Sequence, residues 1–580
     1  MPIINRLVAG LAATTINFDV EPRAGIDKRN CRVLPGDSAW PSPQKWAKLN
    51  QTVHGHLIAS VPIGSVCHNV PFQNYDVDTC SVVQNTWDKT TWDNLGSPPN
   101  ILSSYWKNYT CDPFGPSDAP CKLGNLPSYV IDVTGAADVQ AGIKFAKDNN
   151  VRLVIKNTGH DYLGKSSGKG GLSLWTHNLK STQYIPKYSS SHYKGPAIKL
   201  GAGIEGFAAY AAAHATGHRI VGGTCPTVGI AGGYSQGGGH SLLNSAHGMA
   251  ADNVLEWEVV TMDGKHLVAT PEKNKDLYWA MSGGGGGTYA VALSMTTRLH
   301  VDSVMGGAAL SFNDSKVGND VFWEAMEEFL TLLPAFVDAG NTFAYLFSET
   351  YFQTISATMP GSNLKQVDKW MKPFLDSLTR HGIDYKYVPT EYPSFYEHFD
   401  RYLGPLPLGS TPYGDFVSSR IIPRANIMDR KQLPKVTDAL RKTARPEGWY
   451  DAECVALNAK ALAKKHPDNA VNPAWRDALL ICLFPGRFDP QATPAQMQAR
   501  LDYGANVVQP TIDKATPGGA VYMNEALWKQ QNWQKEFYGA NYKRLVSIKK
   551  KYDPQGLLYA RTAVGSDAWV ETDDQRLCKA

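Results

Sequence analysis

Two side chains with nucleophilic chemistry sit in glycine-rich surroundings. Cys225 lies in GGTCPTVGIAGGYSQGGGH (222–240), which holds eight glycines between Gly222 and Gly239. His160 lies in NTGHDYLGKSSGKGG (157–171), and a third loop, Gly283–Gly287, is glycine throughout. Ordering glycine costs conformational entropy, so dense glycine marks backbone that turns sharply or approaches a neighbour closely. Side-chain-free amides converge readily on anions, phosphate above all. Three such loops at strand ends, between Thr158 and Gly287, point to a large phosphate-bearing ligand such as a dinucleotide. Taken singly, Cys225 reads as a small buried residue and His160 as a loop histidine. Together they could form the cysteine–histidine pair of a hydrolase, but that leaves the glycine loops unexplained.

Other templates fit poorly. There is no GxxxxGK[ST] phosphate loop. GAGIEGF (201–207) follows a strand and opens a helix, but the region beyond it, RIVGGTC, supplies no acidic partner for a ribose. His240 and His247 lack a further ligand nearby and do not read as a metal site.

The elements that must carry these residues are legible from Tyr129 onward. YVIDV is a strand, DVQAGIKFAKDNN an amphipathic helix with Val139, Ile143, Phe145 and Ala146 on its apolar side, and VRLVIKN a second, doubly buried strand. SLWTHNL, AIKLGAG and HRIVGG read as further strands around the helix IEGFAAYAAAHAT. VLEWEVVTMDGKHLVAT is a hairpin about Asp263-Gly264. From Asp302 to Tyr522, helices such as DVFWEAMEEFLTLLPAFV alternate with strands such as YDAECVALN and DALLICLF, which predicts a sheet with helices on one side. FYGANYKRLVSIKKKYDP reads as one helix stopping at Asp553-Pro554.

The 580 residues, 43% hydrophobic and 19% charged with net charge +4, describe a globular chain. There is no basic stripe to imply nucleic acid and no apolar run long enough to span a bilayer. The chain has nine cysteines, and Cys111 and Cys121 bracket the turn-rich CDPFGPSDAPC, which suits a disulfide. Sequons occur at Asn50, Asn108 and Asn313. Together these predict a secreted protein; the short apolar stretch Leu7–Ala13 would be a marginal signal, or the natural start is missing.

The motifs IKNTGHDYLGKSSGKGGLSLWTHNL, GGTCPTVGIAGGYSQGGGHS, GMAADNVLEWEVVTMDGK, DLYWAMSGGGGG and the tail FYGANYKRLVSIKKKYDPQGLLY occur in an order that resembles the vanillyl-alcohol-oxidase/PCMH flavoprotein superfamily. Within it the chain is similar to berberine-bridge-enzyme-like oxidases, closest to fungal isoamyl-alcohol-oxidase-like proteins. The resemblance covers nearly everything from about residue 125. It implies an α+β chain: a loop-rich, disulfide-bearing arm (1–120), a two-part PCMH-type FAD-binding domain (121–303 with the C-terminal segment 531–580), and an α+β substrate domain (304–530) whose sheet is covered by helices. It further implies FAD attached covalently through His160 and Cys225, with Asn157, Thr158, Gly159, Gly164, Ser166, Gly222, Gly223, Thr224, Val228, Gly229, Gly232, Gly233, Gly237 and Asn541 around the cofactor. Val228 stands where valine favours reaction with O2. Tyr162, Tyr522 and Glu525 are the catalytic candidates. The berberine bridge enzyme has a histidine where this chain has Gly233, and FVSSRIIPR (416–424) offers no counterpart of its catalytic glutamate, so that mechanism does not transfer. The implied function is a monomeric oxidase of an alcohol, carbohydrate or secondary-metabolite C–H, using O2. The alternatives are a flavin-dependent cyclase and an FAD-binding protein without turnover.

Overall fold

The computed structural model describes residues 30–580 except 108, 410–413, 415, 445–448 and 461–465. The Leu7–Ala13 stretch and the Asn108 sequon lie outside the described residues.

The first layer grows from the βαβ unit. Strands Tyr129–Asp132 and Leu153–Lys156 both pair in parallel with Leu172–Trp175, and Leu57–Ala59 closes the far edge antiparallel. Helix Ala136–Asp148 starts where Asp138 accepts hydrogen bonds from the Thr134 N–H and hydroxyl. It buries Val139, Ile143 and Ala146 against Ile131, Leu172 and Leu174. The second layer is a five-stranded antiparallel sheet in the order Thr182–Ser189, Lys194–Gly201, Ala290–Arg298, Val254–Thr261, His266–Ala269. The last two strands form the hairpin at Asp263-Gly264, with Gly264 at φ +81°. HRIVGG yields only the two-residue strand His218–Arg219; from Ile220 the chain runs into the glycine-rich loop.

The GAGIEGF glycines serve packing. A Cβ on Gly203 would lie 1.9 Å from the His177 carbonyl oxygen, and one on Gly201 2.2 Å from that of Leu179. The strand leading into them is antiparallel to its neighbours, which is not the parallel βαβ setting of a dinucleotide turn.

The third layer is a seven-stranded antiparallel sheet, ordered Tyr385–Tyr392, Met305–Asn313, Tyr351–Pro360, Thr342–Phe347, Ala452–Ala456, Ala478–Gly486, Phe416–Pro423. Strand alternation splits its side chains between two cores. Phe343, Tyr345, Cys454 and Cys482 join the core beneath helices Asn319–Asp338, Leu364–Arg380 and Leu433–Thr443. Ala344, Ile421, Val455 and Ile481 join the core shared with the second sheet and the 222–240 loop.

Four disulfides pair Cys31–Cys578, Cys67–Cys80, Cys111–Cys121 and Cys454–Cys482, and Cys225 alone stays reduced. The tail is two helices, not one. Trp533–Tyr538 ends at Gly539 (φ +54°), and Tyr542–Tyr552 starts afresh beyond it. Buried Lys549 then ties the second helix to the Thr288 and Leu558 carbonyls.

Gly203→Ala should lower stability by about 1–3 kcal/mol, because the obstructing atom is backbone; a urea midpoint equal to that of the parent would show the site is looser than its geometry.

Candidate functional site

The first two glycine-rich loops meet through one side chain. Asn157, which ends strand Leu153–Lys156, donates from Nδ2 to the Ala202 carbonyl at 2.5 Å. The glycine run wraps its other face, so that a Cβ on Gly229 would fall 2.0 Å from Asn157 Oδ1 and one on Gly232 3.1 Å from its Cγ. Asp161 shapes the next turn by accepting from the Leu163 and Ser166 N–H groups at 3.0 and 2.6 Å. The N-terminal arm clamps the loop from outside: Leu102 N–H donates to the Gly159 carbonyl (3.1 Å) and Trp106 Nε1 to that of Tyr162 (2.8 Å). The result places His160 Nε2 2.9 Å from the Thr227 hydroxyl, which is itself 3.5 Å from Cys225 Sγ. Burial pushes the His160 pKa down to about 4, leaving a neutral imidazole at physiological pH. Burial raises that of Cys225, and hydrogen bonds from Thr227 work against the rise.

Both residues line a cavity of about 270 Å³. Its far wall carries Glu453, Glu525 and His240. Glu453 sits two residues before Val455 on the Ala452–Ala456 strand, hence on the same face, opposite Leu483 of the neighbouring strand. Its residual exposure is to the cavity. Burial, reinforced by the charge of Glu525 and opposed by His240, lifts its carboxyl pKa to about 7. His240 Nε2 meets both Glu525 oxygens at 3.1 and 3.0 Å. Burial lowers the imidazole pKa, but the Glu525 carboxylate outweighs it and the net shift is upward.

The strap carrying Glu525 is fixed from the sheet beneath. Ala520 exchanges backbone hydrogen bonds with Ile421, and Tyr522 N–H donates to Ser419 Oγ at 3.3 Å. Buried Arg420 pairs with Asp513 and Glu536, each at 2.9 Å. So Ser419 and Arg420 of FVSSRIIPR support the site from behind.

Of the residues singled out in the sequence, Asn157, Thr158, Gly159, His160, Tyr162, Ser166, Gly223, Thr224, Cys225, Val228, Gly229, Gly232, Gly233, Tyr522 and Glu525 line the cavity. Four do not. Gly164 packs against the face of Trp106, Gly222 against Tyr210 and Gly237 against Asn524, each needing the absence of a Cβ. Asn541 spends its Nδ2 on the Ala470 and Val471 carbonyls at 3.2 and 3.1 Å, holding a loop. Neither tyrosine is suited to act as a base. Burial and nearby acidic groups hold the Tyr162 and Tyr522 hydroxyls well above their ordinary pKa, and the Tyr522 oxygen already accepts from Gly239 N–H and Asn524 Nδ2. Glu453 and Lys165 also line the cavity and Thr227 touches both His160 and Cys225, none of them singled out in the sequence, while His240 was weighed there only as a metal ligand. The alternation of YDAECVALN put Glu453 on one face with Val455, but nothing local said that this face meets the glycine loops.

The pattern described as "FAD binding domain" matches residues 127–270, and that described as "Berberine and berberine like" matches residues 521–565. The "VAO-type flavoprotein oxidase VAO615" of Thermothelomyces thermophilus is 55% identical over 551 residues, covering 95% of this chain and 96% of its own. The chain belongs to the VAO-type, berberine-bridge-enzyme-like flavoproteins. A crystal structure of the VAO-type flavoprotein MtVAO615 from Myceliophthora thermophila C1, also 55% identical, superposes with a TM-score of 0.93 over 95% of this chain and all of that one. The "Bifunctional decalin synthase calF" of Penicillium decumbens is 46% identical over 567 residues, 97% of this chain and 98% of its own. As a member of this family the protein is an FAD-linked oxidoreductase.

The cavity fits that cofactor. Glycines of the first two loops and Gly286–Gly287 line it, and Lys165, lowered to about 8 by burial and partly sustained by Asp161, brings a cation to the wall. A Cβ on Gly233 would meet nothing within 4 Å, so the wall there stays open.

Glu525→Gln should cost more stability at pH 6 than at pH 9. His240 has a raised pKa, so its attraction to Glu525 is present below the ordinary imidazole value and lost as pH rises through the folded one. Glu453 is neutral at the lower pH and charged at the higher, where removing Glu525 relieves a repulsion. Thermal melts at both pH values decide this; equal losses would contradict the coupling.

Proposed function

We propose that the protein is a secreted flavoprotein oxidase in which Glu453 is the general base. In this reading residues 121–303 and 531–580 hold FAD, residues 304–530 close over a small-molecule substrate, and FAD is attached through His160 and Cys225. The observation that carries it is a cavity-facing carboxyl with a pKa of about 7 in the same cavity as the two attachment residues. A base works best with a pKa near the operating pH. Bound FAD supplies a two-electron acceptor whose electrons pass on to O2 as H2O2.

The chain's residues do the rest. Glu453 takes the proton from the substrate O–H or N–H as the adjoining C–H is oxidised. Burial first, and the Glu525 carboxylate second, hold the Glu453 pKa near 7, while His240 limits the rise. Tyr162 keeps its proton and serves as a hydrogen-bond donor to a substrate oxygen. Val228, which packs against the core behind it, faces the cavity at the position assigned to O2 access. Four disulfides and the exposed Asn313 of the NDS sequon support the secretory route.

A second reading is favoured by the 46% identity to a decalin synthase: the same acid–base pair would drive a cyclisation. Product mass separates a gain of unsaturation from an isomeric ring closure.

Two measurements test the first reading. Acid-precipitated protein should stay yellow and yield flavin on both the His160 and Cys225 peptides. Glu453→Gln should lower kcat by about 10²–10⁴-fold and remove the acid limb near pH 7 from the rate profile. Retention of that limb would assign the base elsewhere.

A further inference from the structure

We propose that Thr227 is a positioning residue for cofactor attachment: its single hydroxyl orients the imidazole of His160 and activates the thiol of Cys225. The inference rests on the reading above that both side chains become bonded to FAD. Thr227 is fully buried, and its Oγ is 2.9 Å from His160 Nε2 and 3.5 Å from Cys225 Sγ. A hydroxyl has one proton to give and lone pairs to accept with. With His160 donating its Nε2–H to Oγ, the imidazole lone pair sits on Nδ1. The hydroxyl proton is then free to point at sulfur and favour the thiolate, the reactive form of cysteine. The Thr227 backbone N–H works in the same direction on the sulfur. Burial opposes ionisation of Cys225, and the other charged groups acting on it, Glu453 and Glu525, are anionic and oppose it too. A hydrogen-bond donor at the sulfur is what the thiol needs in such surroundings.

The stoichiometry is the same at both links. A C–H (of the 8α-methyl for His160, of ring C6 for Cys225) and an N–H or S–H are exchanged for a C–N or C–S bond, the histidine bonding through Nδ1 and giving up its Nε2 proton. Two protons and two electrons leave, and O2 takes them up as H2O2. Thr227 is neither consumed nor changed; it sets which lone pairs are available.

The test compares Thr227→Val, which keeps the shape and removes the hydroxyl, with Thr227→Ser, which keeps the hydroxyl. Each is expressed as the full chain, acid-precipitated, and its flavin-bearing peptides are quantified by mass spectrometry beside the absorbance ratio of flavin to protein. The expected result is at least about a tenfold drop in doubly attached flavin in the valine variant, with the serine variant near the parent. A melting temperature close to the parent's keeps misfolding out of the reading, and Thr227→Ala replaces the valine variant should that one fail to fold. Full double attachment without the hydroxyl would overturn the proposal, as would a folded serine variant that fails as badly as the valine one. If the parent itself carries no covalent flavin, the underlying attachment reading has failed and the proposal falls with it, a result visible before any variant is made.

Discussion

The site depends on how closely a glycine run can be pressed against one asparagine. Asn157 ends a strand of the first sheet, and the Gly229–Gly232 turn must come within contact of it before Cys225 can stand one hydroxyl away from His160. Any Cβ at Gly229 would overlap the Asn157 amide. The glycines of this run divide into two kinds. Gly222, Gly229, Gly232 and Gly237 are needed because another side chain fills their space, whereas Gly233 borders open cavity. The first kind makes the cradle and the second leaves it room. The entropy lost in ordering so much glycine is offset by backbone bonds within the run and by the strap that lies on it, through Asn524 to the Gly233 carbonyl and Gly239 N–H to Tyr522.

Once the cradle is closed, the acidic wall becomes an electrostatic problem with one solution. Two carboxyls and an imidazole from three separate stretches share a low-dielectric space. Glu525 is hydrogen-bonded to His240, so the remaining carboxyl, Glu453, feels burial and a like charge more strongly than it feels the His240 imidazole. A group in that position keeps its proton until near neutrality. The arrangement is costly for stability once Glu453 ionises, a cost that stability arguments alone would not favour. The Cys454–Cys482 bridge lies across the two strands that bring Glu453 and Leu483 to the cavity, on the opposite face, and pins their register.

The sequence made the cofactor half legible because its chemistry is local. Glycine spacing, the two nucleophiles and the βαβ pattern all lie within short windows, and the strands and the Asp263-Gly264 hairpin form as the pattern predicts. The seven-stranded half was legible only as a type of layer. Period-two alternation shows that Glu453 and Val455 share a face, but which face meets the glycine loops is decided by packing of the whole seven-stranded sheet. Asn541 misled for the reverse reason. It follows a helix-breaking Gly539, and the resulting bend turns its amide toward the Ala470–Val471 carbonyls.

The N-terminal arm carries no motif and yet holds the loop that bears His160. Beneath His160, fully buried Lys156 donates to the Ser97 and Pro98 carbonyls at 2.7 and 3.1 Å and lies 5.1 Å from the centre of the Trp175 ring. Burial without a carboxylate partner brings its pKa down to about 7. An amine that has lost its proton still has two N–H donors, and two carbonyls are what it has to satisfy. The clamp therefore survives deprotonation, whereas an ion pair at the same place would not. Leu102 and Trp106 add hydrogen bonds from the same arm, and burial alone keeps the His160 imidazole neutral.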